Sequence, residues 1–148
     1  MTQSINFLDL IAAEDLHAIK NLISQHPQSV HTHMAYDRPW GEELWLPIHH
    51  AVRLHKTEIV QLLIDLGSNV NGRTRFQPGP TKARATALHI AVTENQPDIA
   101  RILLNSGAEL HARKADGASP RDMIQALLDA GQSQYQPFLE LINEFEAK

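Results

Sequence analysis

A chain of 148 residues, 43% of them hydrophobic, carries enough apolar material for one packed domain and does not have the makeup of a disordered segment. Its formal charge of −4 argues against a general nucleic-acid binder, and the absence of cysteine excludes both a disulfide framework and a thiolate metal site. The start, Met1 to Asp9, has no basic region, its apolar run is broken by Asp9 and Glu14, and no window approaches a membrane span, so the expected compartment is the cytoplasm.

In chain order, the first predicted unit runs from about residue 6 to 31. Phe7, Leu8, Ile11 and Ala12, then Leu16, Ile19, Leu22 and Ile23, fall at helical spacing on two consecutive short helices. A longer polar and aromatic stretch follows, His33 to Trp45, with the Pro and Gly punctuation of a loop. It holds Tyr36, Trp40 and Trp45, and an acidic excess from Asp37, Glu42 and Glu43 against Arg38. The second unit, about 46 to 71, opens at Leu46-Pro47-Ile48-His49-His50-Ala51 and continues through Ile59, Leu62 and Leu63. A second long loop, Arg73 to Ala85, carries Arg73, Arg75, Lys82 and Arg84 with Phe76 and no acid. The third unit, about 86 to 111, begins at Thr86-Ala87-Leu88-His89 and closes at Gly107-Ala108. The fourth, about 119 to 145, restarts at Ser119-Pro120 after a short loop through Gly117, has Arg121 and Asp122 in place of leucine and histidine, and ends on the helix containing Phe138, Leu139, Ile142 and Phe145.

The units share a period. Ile19, Ile59 and Ile99 recur at a step of 40 residues, as do Leu22, Leu62 and Ile102, and Ile23, Leu63 and Leu103. The closing loops keep it too: Pro27 to His31 lies over Gly67 to Asn71 and over Gly107 to His111. A helix pair that buries only one face needs neighbours, and a repeated register supplies them.

The Thr86-x-Leu-His89 opening, Ile99, the Leu103-Leu104 pair and Gly107-Ala108 together resemble an ankyrin repeat. The resemblance extends through the second unit and more loosely over about 6 to 145. It implies an all-α solenoid of stacked helix pairs, a single domain over residues 1–148, with extended finger loops; each of the first two fingers is about seven residues longer than the usual repeat of roughly 33 allows. The first unit, with Asn6 to Asp9 at the opening and Ile11 in the place of a small alanine, reads as an N-terminal cap, and the fourth as a C-terminal cap. Leu46 replaces the threonine whose hydroxyl meets the histidine ring in family members, whereas Thr86 retains it. Where the family places glycine between paired helices, Asp15, His55 and Asn95 stand, and each is expected to take positive φ.

No phosphate loop, nucleophile elbow or His-Glu-x-x-His pattern occurs, and His31, His33, His49 and His50 read as repeat positions and loop residues, so no catalytic residue, cofactor or metal site is expected. The resemblance implies a non-catalytic module binding a protein through its fingers and the exposed helix face. On the fingers that surface is Tyr36, Arg38, Trp40, Glu42, Glu43, Arg73, Arg75, Phe76, Lys82 and Arg84. At the first-helix ends it is Ala13-Glu14, Arg53-Leu54 and Thr93-Glu94. Trp45 is expected to pack beneath its finger and Trp40 to be presented. The basic second finger suits an acidic or mixed-charge protein surface, and the protein alone is expected to be a monomer. Two other readings compete: an inhibitor or immunity-type protein that blocks an enzyme or toxin one to one, and, more weakly, nucleic-acid binding through the second finger.

Overall fold

The structure, a computed structural model, describes residues 7–38, 41–77 and 84–147, of which 35–38, 41–43, 76 and 77 by their backbone alone. Among the described residues eight α-helices form four pairs: α1 (Phe7–Ala12) with α2 (Leu16–Gln25), α3 (Pro47–Arg53) with α4 (Thr57–Asp65), α5 (Ala87–Thr93) with α6 (Pro97–Asn105), and α7 (Pro120–Asp129) with α8 (Gln136–Glu146). The first helices touch in succession, α1 on α3, α3 on α5 and α5 on α7, while α4 packs on α6 and α6 on α8. Helices this short are marginal alone. What stabilises them is the shared core, one cluster of buried side chains from Phe7 to Ile142.

That core follows the period. Ile19, Ile59 and Ile99 are each fully buried, and Ile23, Leu63 and Leu103 join them. The fourth unit slips by one residue: Phe138, Leu141 and Ile142 are buried where the 40-residue step points to Leu139 and Ile142, and Leu139 is only half-buried. The cause lies in α7, which has 10 residues against 7 in α5, so the extra length is absorbed in the first helix and a 3-10 turn at Ser133–Tyr135. Gly131, at φ 84°, restores the glycine of the inter-helix turn.

The turns correct two expectations in the first unit. His55 and Asn95 take positive φ (60° and 54°), but the third such residue is Glu14 (54°), not Asp15. Asp15 instead caps α2, its carboxylate accepting the Ala18 N–H at 3.0 Å. The backbone bond that closes each turn runs from Asp15 N to Leu10 O, Lys56 N to Ala51 O and Gln96 N to Ala91 O. Leu10 therefore holds the alanine position, and Ile11 falls in line with Val52 and Val92, where a branched side chain is ordinary. The closing loops also diverge. Gly67 and Gly107 reverse the chain at φ 103° and 96°, whereas Pro27, locked at negative φ, starts a 3-10 turn over Pro27–His31.

The stack is helical throughout, but the fingers are more than loops. β1 (Met34–Arg38) and β2 (Gly41–Trp45) form an antiparallel hairpin within the first finger, and β3 (Arg75–Gln77) from the second pairs with β2. Stacked units bring successive fingers side by side, and backbone donors and acceptors that would otherwise face water find one another. A backbone ladder joins the two fingers, pairing Glu42 with Gln77, Glu43 with Phe76 and Leu44 with Arg75. No helix among the described residues is long and apolar enough to cross a membrane.

Candidate interaction surface

The opening histidines tie units together. The His49 Nδ1 accepts the Leu46 N–H at 3.0 Å, which leaves the proton on Nε2 to donate to the Gly72 carbonyl at 3.0 Å in the next loop. His89 repeats the arrangement: Thr86 N–H and hydroxyl meet Nδ1 at 3.0 and 2.8 Å, and Nε2 reaches Ala118 O at 3.0 Å. Burial pushes His49 down to about 3 and lowers His89 as well, so both rings are neutral connectors. In the fourth unit Asp122 takes the histidine's place, accepting Ser119 N–H at 3.2 Å while the Ser119 hydroxyl accepts Asp122 N–H at 3.1 Å.

At the base of the first finger Trp45 is buried, edge-on to His49 (ring centres 6.1 Å apart) and tilted against His50 (5.4 Å). His50, its pKa lowered to about 4 by burial, hydrogen-bonds the backbone of Met34 and so fastens β1 to α3. Trp45 thus packs as expected. Trp40 and Lys82 lie outside the described residues. The register sets Tyr36, Glu43 and Phe76 in one row across the three strands, Asp37, Glu42 and Gln77 in the next, and pairs Arg38 with Gly41.

The second finger is closed at its base by Thr74, whose N–H donates to Ala85 O at 2.9 Å and whose buried hydroxyl accepts Ala85 N–H at 3.0 Å. Of the cations assigned to this finger, Arg73 is engaged: its Nη1 donates to the carbonyls of Arg84 (2.9 Å) and Arg113 (2.6 Å). Arg75, on β3, and Arg84, at φ 49°, are exposed. Sequence reasoning passed over Arg113, although the period marks it, since His33, Arg73 and Arg113 stand at the 40-residue step.

Along the turn edge the backbone bonds make Ala13, Leu54 and Glu94 equivalent, with Glu14, His55 and Asn95 beside them. Leu54 is a large apolar side chain 37% exposed. Arg53 is half-buried, and the exposed Thr93 donates its hydroxyl to His89 O at 3.1 Å. Cross-unit polar contacts line this edge, Lys56 to Glu14 at 2.8 Å and His55 to Glu94 at 3.4 Å. A cavity of about 220 Å³ between the first two units is bounded by Glu14, Leu16 and His55 to Ile59.

Residues 8–114 match the family described as ankyrin repeats, three copies. Human protein phosphatase 1 regulatory subunit 27 is 34% identical over 118 residues, covering 80% of this chain and 68% of that protein. The BTB/POZ domain and ankyrin repeat-containing protein NH5.2 of Oryza sativa subsp. japonica is 36% identical over 83 residues, 55% of this chain. A similar protein of Pisum sativum, COCH, is 38% identical over 87 residues. This chain spans 16% of the length of each of these two plant relatives.

Proposed function

This chain belongs to the ankyrin repeat family, and on that premise we propose that it is a non-catalytic protein-binding module, a single repeat domain that acts as a cytoplasmic monomer. The binding surface is the finger sheet together with the exposed first-helix ends at Arg53-Leu54 and Thr93-Glu94. One observation carries this reading: both inserted fingers join in one sheet through β2, a surface that the helical core does not require. Leu54, exposed on the turn edge, supports it as an apolar anchor. The test is affinity capture from native lysate under a high-salt wash. Wild-type protein is expected to retain a stoichiometric partner, and Trp40→Ala combined with Leu54→Ala to lose it with the thermal transition unchanged. Undiminished capture by the variant moves the site off this surface.

A second reading makes the partner an enzyme whose activity the module modulates or blocks. It is favoured by the similarity to a protein phosphatase 1 regulatory subunit over 80% of this chain. Purified phosphatase catalytic subunit is the first probe: co-elution on gel filtration with changed turnover supports it, and separate elution with unchanged turnover removes it.

A further inference from the structure

Three residues at the 40-residue step form a ladder in which each side chain seeks the next carbonyl. His33 Nε2 donates to Arg73 O at 2.8 Å, and Arg73 Nη1 donates to Arg113 O at 2.6 Å. Arg113 is the last rung. The loop after it closes on itself, Lys114 N to Ala118 O at 3.0 Å and Gly117 N to Lys114 O at 2.8 Å, and the Arg113 side chain is exposed. Asp122, whose pKa Arg113 helps to lower, already accepts Ser119 N–H, and Lys114 is paired with Asp116.

Arg84 is odd in another way. Three of the four non-glycine residues at positive φ among those described, Glu14, His55 and Asn95, sit in inter-helix turns, and the fourth is Arg84. Glycine would take this conformation without steric cost. The Arg84 carbonyl accepts from Arg73, but its exposed guanidinium meets no carboxylate among the described residues, so the arginine side chain gives no structural return for the strain. Arg75 is its neighbour, because the two flank the Thr74–Ala85 pair. The carbonyls of Arg84 and Arg113 share one nitrogen of Arg73, so the backbones of these two exposed arginines meet at that guanidinium, with the exposed Arg75 on the strand beside Arg84.

We propose that Arg75, Arg84 and Arg113 form a docking site for an acidic, carboxylate-rich segment of a protein partner. The inference rests on the protein-binding reading and adds the chemistry of what is bound. Like charges carried on neighbouring stretches of backbone are relieved when an anion bridges them, and the arginine fork matches carboxylate geometry in pairs of hydrogen bonds. A long polyanion meets the field of a chain with formal charge −4, whereas a short acidic segment meets only the local patch, since charges farther than about 8 Å are screened at physiological salt.

The probe is a fluorescein-labelled oligoglutamate peptide, titrated by anisotropy with the full chain at physiological ionic strength. Wild type is expected to bind it, and Arg84→Glu and Arg113→Glu each to weaken binding by roughly tenfold or more. Lys20→Glu, an exposed cation on α2, is the control and is expected to leave affinity unchanged. Arg84→Gly separates recognition from folding: it is expected to weaken binding while raising the melting temperature, as relief of a left-handed arginine requires. Absence of oligoglutamate binding, equal weakening by Lys20→Glu, or unchanged affinity in both charge reversals overturns the site. So does tighter binding of a single-stranded oligonucleotide of equal charge. Each of those results leaves the protein-binding reading to its own test, the Trp40 and Leu54 variant.

Discussion

His49 and His89 each bridge two units with one ring, accepting at their own helix start and donating to a carbonyl in the following loop. The connection works only while the ring is neutral. Folding holds His49 near 3 against an ordinary 6.5, so below pH 6.5 the unfolded chain takes up a proton that the folded chain refuses. The stabilisation is whole above 6.5 and is lost as pH falls toward the folded value. Between pH 7 and 4.5 the loss from His49 alone is expected to be roughly 2 to 3 kcal/mol. His50 and His89, also lowered, act in the same direction. Urea midpoints measured at the two pH values check this, and a midpoint that stays level would mean the rings are charged or solvated. The motif letters Thr86 and His89 made the contact at the helix start legible, whereas the bond to the following loop emerged only from the structure. Arg73 was not legible as structure, because an arginine in a basic loop reads as a binding residue until the carbonyls it reaches are known.

At the scale of elements the second helices carry the fold. Leu63 and Leu103 are fully buried at equivalent positions, so Leu63→Ala and Leu103→Ala are each expected to cost about 2 to 5 kcal/mol through the cavities left between units. Denaturant midpoints test this, and variants that melt like the parent would break the proposed register. The period that identifies these residues was legible in the sequence, in Ile19, Ile59 and Ile99 and in Ile23, Leu63 and Leu103, since a buried helix stripe must repeat apolar residues. Turns were less legible. Glu14 rather than Asp15 takes positive φ because Asp15 serves better as a cap on α2, a competition between two local uses of one residue type. The Leu139 register failed for a different reason: α7 grew at its own end and displaced α8.

For the whole molecule, one hydrophobic cluster from Phe7 to Ile142 implies that units lose their neighbours together. The ion pairs along the edges, such as Lys56 with Glu14 and Arg101 with Glu144, are solvent-accessible and contribute little beside it. Trp45, packed between the first finger and α3, reports on the finger, whereas far-ultraviolet circular dichroism reports on the helices. The two thermal transitions are expected to coincide, with an earlier fluorescence change as the result that would mark the fingers as a separate cooperative unit.

By itself the sequence determined the helix pairs, their order and the central second-helix side chains that the first three units bury, because periodic apolar residues and capping letters are local signals that survive without coordinates. Only the tertiary structure decided how the fingers end. Strand pairing of β2 with β3, the hub at Arg73 and the exposure left to Arg113 depend on carbonyls and strands that stacking brings together from distant parts of the chain, and a repeated position in the sequence does not say which carbonyl a side chain will reach.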